Sequence, residues 1–182
     1  QFFALTIPEE RKLVVKEGDT LSLGKHQLSF VMAPMVHWPE VMFTYDATEG
    51  ILFSADAFGV FGTNNGNIFA DELNYQAQDF VDDARRYYTN IVGKYGMQVQ
   101  NVLKKAAGID IKMLCPLHGP IWREDLGFIL NLYDKWSRYE AEEKAVAVFY
   151  NSIYGNTESV INAFTMKLAA RGVKNIKAYD VS

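Results

Sequence analysis

The chain has 182 residues, 49% of them hydrophobic and 22% charged, with a formal net charge of −4. That length holds one domain, or one domain and part of a second, and the apolar content excludes a chain that is disordered throughout. The mild acidity offers no footprint for nucleic acid or an anionic membrane, and no apolar run approaches the roughly twenty residues that a membrane span needs.

The first seventy residues read as β-structure. Apolar runs at 11–16, 27–33, 41–45 and 51–55 are rich in Val, Ile, Phe and Tyr, and Asp46-Ala47-Thr48-Glu49-Gly50 reads as a hairpin turn. Gly59, Gly62, Asn64, Asn65, Gly66 and Asn67 then mark a loop. From Asp71 the period changes to about 3.6. Leu73, Ala77, Phe80, Val81, Ala84, Tyr88 and Ile91 fall on one helical face. Residues 93–96 interrupt that helix, and 99–107 form another, ended by Gly108. Strand-like 109–115 leads into Pro116-Leu117-His118-Gly119-Pro120, and 126–143 reads as a helix.

Composition shifts after Glu140-Ala141-Glu142-Glu143-Lys144. Residues 145–150 are continuously apolar, the mark of a buried parallel strand. A polar loop, an amphipathic helix at 157–171 and a strand at 176–181 complete a βαβ unit, so we place a domain boundary near Lys144. The chain opens Gln1-Phe2-Phe3 without an initiator Met and closes directly after a strand-like run. On this reading it is expected to be a fragment.

Two sets of loops carry chemistry. His37 follows the second strand, Asp56 follows the strand at 51–55, and His118 follows the strand at 109–115. Imidazole and carboxylate at the ends of three strands are how a rigid scaffold presents Fe, Mn or Zn, and an aspartate can bridge two ions. A histidine beside Pro or Gly also serves simply to close a loop. His26 reads as a surface turn residue, and Cys115 as a small buried hydrophobe. As the one cysteine, Cys115 forms no internal disulfide, which fits a reducing, cytoplasmic setting. The second loop is Ser152-Ile153-Tyr154-Gly155-Asn156-Thr157, between a strand and a helix start. Its backbone N–H groups at the positive end of a helix suit a phosphate. The competing reading is a plain N-cap at Asn156 or Thr157. Walker and Gly-x-Gly-x-x-Gly patterns are both absent.

Together the two loops resemble one family. Ser-x-Tyr-Gly-Asn-Thr after an apolar strand is similar to the phosphate loop of flavodoxin-like domains that hold flavin mononucleotide (FMN). Lys16-Glu17-Gly18-Asp19, Ala33-Pro34-Met35, His37-Trp38-Pro39-Glu40, Asp56-Ala57-Phe58-Gly59 and His118-Gly119-Pro120-Ile121-Trp122-Arg123 resemble flavodiiron proteins, which fuse a metallo-β-lactamase-like domain to a flavodoxin-like one. The resemblance covers essentially the whole chain. It implies an α/β fold: the second half of a metallo-β-lactamase-like αββα sandwich at 1–143, then the start of a flavodoxin-like doubly wound parallel sheet at 144–182.

It also implies a diiron site in which His37 binds one iron, Asp56 bridges both and His118 binds the other. Ser152, Ile153, Tyr154, Gly155, Asn156 and Thr157 would hold FMN. The family's upstream His-x-Glu-x-Asp motif is absent here, in keeping with a start midway through the first domain. Two local departures are Val60-Phe61, where many relatives carry a more polar pair, and Leu117, where a serine is usual. The implied activity is reduction of oxygen to water or of nitric oxide to nitrous oxide. The implied electron donor is rubredoxin or a flavin reductase, and the implied assembly a head-to-tail homodimer or a dimer of dimers. The rivals are a zinc hydrolase of the metallo-β-lactamase class and a non-catalytic flavodoxin-type electron-transfer module.

Overall fold

The computed structural model describes residues 7–182, so Gln1-Phe2-Phe3 lies outside the described residues. The chain divides into two units between Glu140 and Ala141, and each is described by itself.

The first unit is built on a five-stranded sheet: β1 (Thr20–Ser22), β2 (Gln27–Met32), β3 (Met42–Asp46), β4 (Ile51–Phe53) and β5 (Met113–Cys115), in that spatial order. The first four pair antiparallel, β1–β2 and β3–β4 through short turns and β2–β3 through the loop at 33–41, and β5 joins parallel to β4. Because β2 and β4 both run against β3, the strands β2, β4 and β5 all point the same way. The loops that follow them therefore leave from one end of the sheet. Alternation decides which side chains go inward. Val31, Phe43, Tyr45, Leu52 and Leu114 share the face that joins the core.

Onto that core pack α1 (Gln78–Tyr87), α2 (Gly96–Ala106) and α3 (Leu126–Ser137), through Ala84, Val99, Val102, Ile129, Tyr133 and Trp136. Trp122 is fully buried among Tyr75, Phe80 and Phe128, and its main chain exchanges two hydrogen bonds with Leu114. Its indole N–H meets no acceptor. Trp122→Phe removes that orphan donor along with one ring's contacts. We expect a net loss of no more than about 1.5 kcal/mol in urea denaturation, because the two changes oppose each other. A much larger loss would mean that the indole nitrogen is paired in solution.

The hairpin turn between β3 and β4 carries its own ionic lock. Asp46 Oδ1 accepts the Thr48 N–H at 2.9 Å, and Oδ2 meets His26 Nδ1 at 2.7 Å. Burial pushes the Asp46 carboxyl up, but the Thr48 N–H, His26 and the Glu49 N–H outweigh it and hold the group below the ordinary carboxylate range. A carboxyl depressed in the folded state stabilises at neutral pH. That contribution fades as pH falls below the ordinary aspartate value of about 4. Asp46→Asn is therefore expected to flatten the acid limb of the stability-against-pH curve. Parallel acid limbs for the two proteins would refute the lock.

Several expected elements are corrected. Residues 11–16 are not a strand: Glu9–Arg11 is a single helical turn, and Leu13 and Val14 are exposed and unpaired within the described sheet. Leu73 and Ala77 lie outside α1, which begins at Gln78 after the short turn Ala70–Glu72. Only 113–115 of the run at 109–115 pairs as strand. The helix expected at 126–143 stops at Ser137, because Tyr139 turns left-handed at φ 57°.

The second unit consists of β6 (Val146–Tyr150), α4 (Asn156–Ala170) and β7 (Ile176–Asp180), with β6 and β7 parallel in register Val146↔Ile176. The strand expected to be buried is covered on one side only. Val146, Val148 and Tyr150 are half-buried, whereas Phe149 is exposed and stacks on Tyr179 at 5.3 Å.

Candidate metal centre

Asp56 sits in a tight turn beyond β4. The buried Ser54 hydroxyl donates to the Ala57 carbonyl at 2.9 Å, and the Ala57 N–H returns to the Ser54 carbonyl at 3.0 Å. His118 leaves β5 on a loop sewn to the same turn. The Leu117 N–H donates to the Ala55 carbonyl at 2.8 Å, and the Val60 N–H to the His118 carbonyl at 3.3 Å. Gly119 holds φ 83° with its Cα against Val60, where an added methyl would come within 2.9 Å, so glycine suits both the turn and the space. Further along, Arg123 grips Asp71 with two nitrogens and lies 3.6 Å over the Phe69 ring. His37 lies in the loop beyond β2, closed by the Met35 N–H to Trp38 carbonyl bond at 2.8 Å.

Left-handed backbone flanks His37 and Asp56. Met35 (φ 65°), Ala55 (φ 50°) and Phe58 (φ 67°) adopt a region that non-glycine residues rarely enter. Such outliers cost about 1–3 kcal/mol each and gather at functional sites.

The three residues meet. His37 Nε2 lies 3.1 Å from Asp56 Oδ2, and His118 Nε2 lies 3.1 Å from Asp56 Oδ1. The Asp56 and His37 side chains are mostly buried, at 19% and 25% exposure, whereas His118 is open to solvent at 59%. Each carboxylate oxygen thus faces its own imidazole. Among the described residues no group of three or more His, Cys, Asp and Glu encloses a single point. The string His–Asp–His instead offers one nitrogen and one oxygen on either side of a carboxylate. The chemistry of these donors fits Fe, Mn or Zn.

Tyr87 reaches the same place and was not singled out from the sequence. Its hydroxyl donates to the Asp56 carbonyl at 3.0 Å, and its ring lies 5.8 Å from that of His118. The helical period selects Tyr88 for the core. Both tyrosines turn inward because the helix widens into a π-type turn over Tyr88–Val92. Val60 is buried against the His118 loop, Phe61 packs edge-on to Tyr87 at 5.0 Å, and Leu117 is exposed. His26 stays in its hairpin pair, and burial raises the Cys115 thiol.

In the second unit the 152–157 loop opens α4. Neither Asn156 nor Thr157 caps the helix. Gly155, at φ 77°, occupies that position, and the Ser152 hydroxyl oxygen accepts the Glu158 N–H at 3.3 Å. Ile153 and Tyr154 are exposed.

A family model described as ODP family beta lactamase matches residues 1–119. The chain belongs to that family. This ODP-family chain is 36% identical over 171 residues to the nitric oxide reductase of Moorella thermoacetica, covering 93% of its own length and 42% of the relative's. Among solved structures it resembles the flavodiiron protein of Giardia intestinalis (TM-score 0.82, 32% identity), covering 91% of this chain and 40% of that one. It likewise resembles the rubredoxin oxygen:oxidoreductase of Desulfovibrio gigas (TM-score 0.83, 30% identity), with 92% and 41% covered. The ODP-family chain therefore spans about two fifths of the length of these relatives.

Proposed function

We propose that this chain supplies part of a diiron site and the phosphate end of an FMN site to a flavodiiron oxidoreductase that reduces oxygen to water, nitric oxide to nitrous oxide, or both. The observation that carries the reading is the division of the Asp56 carboxylate between His37 and His118. The names of the relatives, nitric oxide reductase, flavodiiron protein and rubredoxin oxygen:oxidoreductase, support it.

On this reading His37 and Asp56 would hold one iron, and His118 and Asp56 the other. Two protein donors per iron are too few, so the rest would come from regions of the full-length relatives that this chain does not span. Bound together, FMN and two irons supply electron storage, one-electron transfer and a binding place for a small diatomic. The chain's own residues do the holding. The turn at 54–59 fixes the carboxylate, the loop at 118–123 carries the outer histidine, and the N–H groups at the start of α4 would hold the phosphate. The first domain takes 1–143 and the flavodoxin-like one 144–182. Rubredoxin or a flavin reductase would deliver electrons, in the cytoplasm. A head-to-tail dimer would bring one subunit's flavin to the other's irons.

The test is metal and flavin analysis of the full-length polypeptide after expression in iron-rich medium without oxygen. About two irons and one FMN per polypeptide, with consumption of oxygen or nitric oxide, are expected. Stoichiometric zinc with no iron would transfer the reading to a hydrolase. Flavin without metal would leave an electron-transfer module. Among the described residues no helix is long and apolar enough to cross a membrane.

A further inference from the structure

Tyr87 is 2% exposed, so its hydroxyl must find a partner inside the protein or remain an orphan. It finds the main-chain carbonyl of Asp56 at 3.0 Å, while its ring lies 5.8 Å from the His118 ring. One side chain thus touches both the residue that takes two imidazoles and the imidazole that is most open to solvent. The neighbourhood is shaped around it. A methyl group on Gly59 would fall 2.5 Å from the Tyr87 ring and 2.8 Å from its hydroxyl, so the turn after Asp56 passes the phenol only because it carries no side chain there. Phe61 closes the far edge of the ring, and Arg86 lies over Phe61.

We propose that Tyr87 is a positioning residue for the metal centre: it fixes the height of the Asp56 turn through the carbonyl and the tilt of His118 through ring contact. This rests on the metal reading of His37, Asp56 and His118. Packing alone does not require the hydroxyl, and neither histidine touches the other. Besides Tyr87, the two loops are linked by the Leu117–Ala55 and Val60–His118 main-chain bonds and by the His118–Asp56 side-chain contact that the tyrosine flanks.

The test uses Co²⁺ as probe on the metal-free full-length polypeptide, titrated in competition with a chromophoric chelator and followed by its visible d–d bands. Tyr87→Phe keeps the ring and removes the donor. Its Co²⁺ affinity is expected to fall about tenfold to a hundredfold, the range for groups that orient metal ligands, with altered d–d bands. The metal-free melting temperature should change little. Equal affinity and an unchanged spectrum, with or without a lower melting temperature, would reduce Tyr87 to packing and overturn the proposal. If Tyr87→Phe does not fold, Gly59→Ala keeps the tyrosine but pushes its ring and hydroxyl together away from the Asp56 turn. The same loss of affinity supports the proposal, and wild-type affinity overturns it. A wild-type protein that binds no Co²⁺ brings down the metal reading and this proposal together. Tight wild-type binding with an indifferent Tyr87→Phe brings down this proposal alone.

Discussion

Replacing Asp56 with Ala in the full-length polypeptide is expected to release most of its iron. The substitution removes both carboxylate oxygens at once, and these are the atoms that His37 and His118 face at 3.1 Å. Of the three donors in this chain, two separate imidazoles remain, each deprived of the carboxylate oxygen it faced. Loss of a group that only orients a ligand costs about tenfold to a hundredfold in metal affinity, so loss of the shared ligand itself should exceed about a hundredfold. Asp56→Asn is the informative companion. It keeps the shape and one acceptor oxygen but gives up the charge and the second oxygen, so one histidine retains its partner. Iron content should fall in the order wild type, Asn, Ala, with circular dichroism unchanged. An Ala variant that keeps about two irons after dialysis against chelator would remove Asp56 from the centre.

The second large effect concerns Thr157 and the start of α4. The Ser152 oxygen already serves the Glu158 N–H, so the donors left for an anion are the earlier backbone N–H groups and the free hydroxyls. No basic residue lies between Ser152 and Thr157, so affinity has to come from hydrogen-bond geometry and the positive end of a fifteen-residue helix. Thr157→Val keeps the shape and deletes one donor. FMN binding should weaken by about 1.5–3 kcal/mol, the range for a hydrogen bond to a charged group, or roughly tenfold to a hundredfold. Riboflavin, without the phosphate, should lose much less. Flavin fluorescence titration of both ligands decides it: equal losses, or none, would make this loop an ordinary helix start.

His37, Asp56 and His118 were legible because each ends an apolar run, and strand direction brings those ends together. The β2–β4 runs were legible for the same reason, since alternation and the Asp46–Gly50 turn act locally. Where the reading failed, the cause was not local. Leu13 and Val14 look like strand residues, yet no described strand pairs with them. Glu140 to Lys144 have helical composition but no apolar period to anchor them, so α3 ends just after Trp136, its last apolar side chain in the core. Tyr87 was missed because the face drawn through Ala84 and Tyr88 leaves it to one side, whereas the widened turn at Tyr88–Val92 and the buried Tyr87 ring bring both tyrosines inward.

The parallel pairing of β4 with β5 also has a consequence for the order of folding. Leu52 and Leu114 are neighbours in the sheet although about sixty residues, including α1 and α2, lie between them. The hairpins β1 to β4 close over short spans and can form early, while the β4–β5 pair must first close a long loop. Asp56 and His118 stand just beyond that last pair. An early intermediate can therefore set His37 against Asp56 but leaves the outer histidine elsewhere. His37, Asp56 and His118 therefore converge only when β5 pairs with β4.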